Sequence, residues 1–191
     1  MYPLPNTKST DIQFFCFSHK VPNIPLVDNE YRTPIEVGAD MRRTHFADIR
    51  DNQGEHISDR NLWYRELTGI YYLWKNVHNI KFIGLEHYGR RWNFNPKDVL
   101  DGLSDGSIPI IVHPMKFKNT LREIYVNNHS EKDIQDIEDI IKEEYPEYIE
   151  SFDKYVNHGH ILLSNNNFIV AKEEFDKLCE FIFGVIDIFF R

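Results

Sequence analysis

The sequence predicts an α/β fold in which a mixed, mostly parallel sheet is flanked by helices within a single domain. Three observations predict it. Apolar runs of strand length, Ile12-Gln-Phe-Phe-Cys-Phe17 and Lys81-Phe-Ile-Gly-Leu85, are hydrophobic enough to be buried on both faces. They alternate with longer segments of helical period. The second run empties into Glu86-His-Tyr-Gly-Arg-Arg91, and the polar carboxyl ends of strands are where open α/β sheets place their sites.

Composition sets the outer limits. The 191 residues suit one domain with a substantial core, and 41% apolar with 27% charged residues is ordinary for a soluble globular chain. Aromatic residues reach 14%, which fits either flat rings over sugar faces or a large aromatic core. A net charge of −8 disfavours a nucleic-acid surface. Cys16 and Cys179 form no C-x-x-C and no disulfide framework, which suits a reducing compartment. The start MYPLPNTKSTD lacks the apolar core of a signal peptide, and no uncharged apolar stretch reaches the roughly 18 residues of a membrane span. The expected location is cytoplasmic, with the inner face of the membrane as a second option.

In chain order, residues 1–10 are a Pro-containing flexible lead-in and 11–191 the domain. The first strand ends at Ser18-His19-Lys20, and residues 21–33 read as loop. Thr33-Pro-Ile-Glu-Val37 is a short second strand closed by Gly38. Residues 40–56 are polar and turn-rich, with a turn signal at Asp51-Asn-Gln-Gly54; a loop this long is usually functional or disordered. Ser58 is a candidate N-cap for a helix to Asn76, whose stripe is Trp63, Leu67, Ile70 and Trp74, with Asn61, Tyr64, Thr68 and Lys75 opposite. After the strand at 81–85, residues 93–106 are a loop with a helical turn near 97–103. Ile108-Pro-Ile-Ile-Val112 is a strand whose Pro109 suits an edge or a strand start. Thr120–Asn128 and Glu131–Glu144 read as helices, the latter with Ile134, Ile137, Ile140 and Ile141 on its apolar face. Pro146 breaks the run and Glu147–Val156 resumes it. Strands at 161–163 and 168–170 flank Asn165-Asn-Asn167, and a last helix runs from Lys172 to Arg191.

Several pieces of this chain, taken in order, carry a resemblance. They are Ser18-His-Lys20, Pro34-Ile35, Val37-Gly-Ala39, Asp51-Asn-x-Gly54, Ile57-Ser58, Asn61 and Tyr64-x-Glu-Leu-Thr68. Trp74-Lys-Asn76, Gly84-Leu-x-His-Tyr88, Tyr125 with His129, and Asn167-Phe-Ile169 follow. The series resembles the domain-of-unknown-function 4422 family of capsule, exopolysaccharide and O-antigen glycosyltransferases. The resemblance implies a GT-A-like, Rossmann-like fold, a nucleotide-sugar donor (UDP-linked, with galactofuranose a candidate) and a glycan or lipid-linked glycan acceptor. Family members run on by several tens of residues past the apolar helix that ends at Arg191. A truncated chain, an excised domain, and docking of that helix on a partner or a membrane surface are therefore all expectations.

The resemblance implies roles residue by residue. His19 would stack or hydrogen-bond on the base and Lys20 reach a phosphate, against the plain alternative of a surface turn. Gly38, Asp51, Asn61, Tyr88, Arg90 and Arg91 join them on the donor side, and Asn166 and Asn167 serve sugar or acceptor. No Asp-x-Asp follows the central strand, where GT-A enzymes usually hold a metal; Glu86-His87 stands there. That pair supplies candidate catalytic groups and, through oxygen and nitrogen, ligands for Mn²⁺ or Mg²⁺. The alternative is metal-independent neutralisation of the leaving diphosphate by Arg90 and Arg91 with Lys20. The family usually reads His-Tyr-Arg-Arg, whereas Gly89 occupies the first arginine position here.

Two other readings stand beside this one. A non-catalytic nucleotide- or glycan-binding relative, or one module of a larger polysaccharide polymerase, is favoured by Gly89 and the missing Asp-x-Asp. A metal hydrolase built on His113, His129, His158 and His160 has no trusted spacing behind it. No catalytic base is singled out. Glu66 reads as a structural tie from its helix to a loop.

Overall fold

The computed structural model describes residues 11–22, 25–93, 95–103, 109–163 and 166–191. The expected lead-in at 1–10, Ile108 at the start of one expected strand, and parts of the 93–106 loop lie outside them. The strands, in chain order, are β1 (Ile12–Ser18), β2 (Arg32–Glu36), β3 (Phe82–His87), β4 (Ile110–Ile111), β5 (Met115–Lys116), β6 (Ile161–Leu162) and β7 (Phe168–Ala171). The helices are α1 (Asn61–Tyr64), α2 (Leu67–Asn76), α3 (Pro96–Leu103), α4 (Leu121–Val126), α5 (Glu131–Glu144), α6 (Ile149–Phe152) and α7 (Lys172–Phe189). The chain divides into two compact units, residues 11–111 with Asn166–Cys179 and residues 112–163 with Glu180–Arg191.

The first unit holds a five-stranded sheet in the order β2-β1-β3-β7-β4. β1 pairs in parallel with β2 and β3, while β7 runs antiparallel to β3 and β4. Every residue of β1 is buried, as expected for a central parallel strand covered on both faces. β4 lies at the sheet edge just after Pro109, where the missing N–H of proline breaks no interior ladder. On one face Ile12, Phe14 and Ile169 pack with Val99 and Leu103 of α3. On the other, α2 approaches at Gly69, where a Cβ would stand 2.7 Å from Val37 and 2.8 Å from Phe17.

The expected continuous helix from Ser58 is broken. A 3₁₀ turn at Ser58–Arg60 leads into α1, the chain reverses at Arg65 with φ +51°, and α2 starts at Leu67. The reversal rephases the helix, so Trp63 is 75% exposed while Tyr64, Thr68, Tyr72 and Leu73 turn inward with Ile70. Ser58 is not an N-cap either; it is fully buried, and its hydroxyl donates to Asp51.

In the second unit β5 and β6 form an antiparallel pair. A capping box between Thr120 and Glu123 starts α4, and Ser130 accepts from the Lys132 N–H to start α5. After Pro146 the expected single helix is subdivided into a 3₁₀ turn at Pro146–Tyr148, α6, and a π-helical turn at Asp153–Asn157. Ile137, Ile141, Tyr148, Phe152, Phe181, Ile182, Val185 and Ile186 line an apolar groove. Among the described residues no helix is long and apolar enough to cross a membrane.

Candidate functional site

Strand order reverses direction between β1 and β3: the chain steps from β1 to β2 on one side and returns to β3 on the other. In doubly wound sheets ligands enter the crevice at the carboxyl ends of such strands. A cavity of about 270 Å³ opens here, lined by Phe17 from β1, His19 just beyond it, Val37 after β2, and His87 at the end of β3. Arg42, Asn61, Arg65 and Glu66 complete the wall.

The loop of residues 39–56 is held in place by two buried carboxylates. Asp51 is fully buried and accepts from the Gly38 N–H at 2.8 Å, the Ala39 N–H at 3.0 Å, the Ser58 hydroxyl at 2.5 Å and the Thr68 hydroxyl at 2.6 Å. Glu36, also fully buried, accepts from the Phe46 and Ala47 N–H groups and pairs with His45 at 3.0 Å and Arg42 at 3.6 Å. A buried charge survives only when its lone pairs are met in this way. Gly38 has φ +70°, and a Cβ there would stand 2.6 Å from the Asn61 side chain. Asp51 and Gly38, expected to bind donor, are therefore corrected: Asp51 spends its oxygens on protein donors, and Gly38 clears room for Asn61. Asn61 does reach the cavity, with its amide donating to the Arg65 carbonyl and the Thr68 hydroxyl.

The cavity is cationic and aromatic. Arg65 makes no ion pair among the described residues, and Arg42 is the only guanidinium besides it in the wall. His19 meets Tyr88 edge-on at 5.4 Å, His87 lies 4.2 Å from Tyr88, and the Lys20 ammonium sits 5.4 Å from the Tyr88 ring. Burial lowers the pKa of His19, helped by Lys20 and Arg42 and opposed by Glu66. Burial lowers that of His87 as well, with Glu66 opposing and His19, Arg90 and Lys20 assisting. Both imidazoles are thus biased to the neutral form, able to accept a proton.

Glu86 behaves otherwise. Neighbouring residues of a strand face opposite sides of the sheet, so Glu86 and His87 cannot converge on one ion. Glu86, 1% exposed, accepts from Arg32 at 3.3 Å and from the Trp92 N–H at 3.0 Å on the α3 side. Burial raises its pKa, with Arg32 and the Trp92 N–H pulling it back. The residues present do not fit the expected Mn²⁺ or Mg²⁺ pair, and Glu86 as a catalytic group is corrected to a buried partner of Arg32. Among the described residues no group of three or more His, Cys, Asp or Glu side chains is placed to hold a metal. His113 contacts its neighbour's carbonyl, His129 stacks on Tyr125, and His158 lies 3.6 Å from Asp153.

Arg90 and Arg91 part company. Arg90 closes a tight turn by backbone bonds in both directions with His87, leaving its side chain exposed. Arg91 reaches a second cavity, on the Glu86 side, and donates to the Pro25 carbonyl. Asn166 donates to Glu66 at 3.0 Å, which makes Glu66 the helix-to-loop tie expected of it, and Asn167 donates to the Arg90 carbonyl. Gly89 does not reflect crowding, since a Cβ there would meet only the His87 ring, at 3.8 Å.

Sequence reasoning missed Arg42, Arg65 and Arg32. Arg42 sits in the long polar loop already suspected of function, and Arg65 fills the unread position within Tyr64-x-Glu-Leu-Thr68. The signal for Arg65 was tertiary: a non-glycine residue at positive φ, a strain that clusters at functional sites.

The fold and site together define a mixed α/β domain with a charged crevice at the switch point of its sheet. The family described as domain of unknown function 4422 matches residues 13–190, and this chain belongs to it. Among solved structures the chain is similar to the apo WbbM bifunctional glycosyltransferase, with a TM-score of 0.80 at 18% identity, over 94% of this chain. It spans 37% of that chain's length. No curated protein matches.

Proposed function

We propose that this chain is a glycosyltransferase domain that takes a sugar from a UDP-linked donor and passes it to a glycan acceptor. The observation that carries the reading is the cavity at the β1–β3 switch point, whose wall includes Arg65, Arg42, His19 and His87, with Tyr88 packed against both imidazoles and Lys20 against Tyr88. The fold shared with a bifunctional glycosyltransferase supports it.

On this reading the uracil ring lies against His19 and Tyr88, and the diphosphate is met by Arg65, Arg42 and Lys20. Such fixed donors stabilise the charge that develops on the leaving diphosphate. His87, biased to the neutral form and facing the same space, accepts the proton of the acceptor hydroxyl. Galactofuranose as the transferred sugar, and capsule or O-antigen as the product, are the finer form of the proposal and follow the family resemblance. A second reading, a binding module without turnover, is favoured by one observation: Glu86, the strand-end carboxylate, is sealed on the other side of the sheet.

The test is a thermal-shift titration with UDP, GDP and their sugars, with and without Mn²⁺. A ligand that binds only the native state stabilises it as RT ln(1 + [L]/Kd). Stabilisation by UDP-sugars that does not depend on Mn²⁺, with release of UDP in the presence of acceptor, is expected. Binding without any release by a longer chain decides for the binding module, and no shift with any nucleotide sinks the donor site and leaves a glycan-binding module.

A further inference from the structure

The second cavity, of about 500 Å³, is lined by Val27, Arg32, Arg91, Trp92, Asn93 and Asn95. Its size falls in the range of roughly 300–1,000 Å³ typical of small-molecule sites. It lies on the Glu86 side of the sheet, where Arg32 and the Trp92 N–H meet Glu86.

Its charges can be counted. Arg32 is committed to Glu86 and to the Trp92 carbonyl. Arg91 has no carboxylate partner among the described residues; it donates to the Pro25 carbonyl and touches Cys16. Burial first, and Glu86 second, push the Cys16 thiol up to about 11, so it stays uncharged at neutral pH. Two guanidiniums against one carboxylate leave a single net positive charge. One positive charge suits a monoanion and falls short of a diphosphate. Around it stand donors without acceptors: the Asn95 Oδ1 accepts from the Lys97 N–H, but its amide N–H groups, like the Asn93 side chain, meet no partner among the described residues. Trp92 anchors its indole N–H on the Leu85 carbonyl at 3.1 Å and stays partly exposed. An indole wall, amide donors and a guanidinium form the usual recognition set for a pyranose that carries a carboxylate.

We propose that this second cavity is a subsite for a carboxylate-bearing sugar residue, a hexuronate, of the acceptor glycan. The saccharide class rests on the glycosyltransferase reading above, whereas the preference for a monoanion rests on Arg91 and its surroundings. The guanidinium of Arg91 clamps the carboxylate, Trp92 covers the apolar ring face, and Asn93 and Asn95 meet hydroxyl groups.

The experiment is calorimetric titration of the full chain with a galacturonate trisaccharide, with the corresponding galactose trisaccharide, with inorganic phosphate, and with UDP-galactose. The acidic trisaccharide is expected to bind more tightly than the neutral one, and Arg91→Gln to weaken it about tenfold, the size of one lost charge-assisted bond. Arg91→Lys should recover part of that loss. UDP-galactose binding should be unchanged in both variants. Should Arg91→Gln fail to fold, Asn93→Asp, at an exposed position, puts a competing negative charge in the cavity and is expected to weaken the acidic trisaccharide alone. Equal affinity for acidic and neutral trisaccharides, or no binding of the acidic one, overturns the proposal. So does inorganic phosphate as the only ligand that depends on Arg91. Failure of UDP-galactose alone counts against the donor site and leaves this one standing.

Discussion

The two faces of the central sheet are built from the same three strands, yet they carry opposite chemistry. On the α2 face, Phe17 and His87 look into a cavity fringed by cations that no carboxylate neutralises fully. On the α3 face, one residue back along each strand, Cys16 and Glu86 are buried against Arg32 and Arg91. The difference is one residue of register, and strand periodicity turns it into two chambers. Polarity at a strand end therefore marks a site only after each residue has been assigned to a face.

That comparison can be broken at several points. The largest effect is expected from Asp51→Ala, which leaves three buried donors on the α2 face, the Gly38 and Ala39 N–H groups and the Ser58 hydroxyl, without an acceptor, and the Thr68 hydroxyl with only the Arg65 carbonyl. The cost should be about 3 kcal/mol or more in urea denaturation, with UDP-sugar binding lost as the 39–56 loop loosens. Glu86→Gln should cost less, about 2 kcal/mol, because Arg32 keeps some solvent contact at 15% side-chain exposure. It should leave UDP-sugar binding intact; a variant that folds but no longer binds donor would show that the two faces act as one site.

Arg65→Gly sharpens the contrast between stability and function. Relief of the positive φ should add about 1 kcal/mol to stability, while loss of the guanidinium should weaken UDP-sugar binding about tenfold. A variant both less stable and equally tight in binding would remove Arg65 from the donor site. The smallest effect concerns pH. His19 and His87 have pKa values held below the ordinary value of about 6.5, and a bound diphosphate diester raises them. Binding then takes up protons, so affinity for UDP-galactose should rise a few-fold from pH 8 to pH 6. His19→Asn with His87→Asn should flatten that slope in calorimetry.

Much of this layout is readable from residue order. Period and length place strands at 12–17, 81–85 and 168–170, within two residues of the observed ends, apolar spacing places α4, and Ser130 opens α5, because these signals are local. The helix break at Arg65 is not local. It depends on Thr68 turning inward to reach Asp51, 17 residues away, a bond no periodicity encodes. Glu86 misled for a related reason. Its charge suggested chemistry, but its partner Arg32 lies 54 residues earlier, on the far side of β1. Asp51 and Ser58 were correctly singled out with the wrong job: they brace the binding loop from behind.

The position of β7 has a consequence for how the chain reaches this state. β3 pairs on one side with β1 early in the sequence, but its other edge is covered by residues 168–171. Phe82 must therefore wait for Ala171 before its ladder is complete. Contacts so distant along the chain slow folding, and an apolar strand with an open edge invites pairing with a neighbouring molecule. During synthesis the central strand of this sheet is thus exposed while some eighty further residues leave the ribosome. Yield at high expression should depend on how quickly that edge is closed.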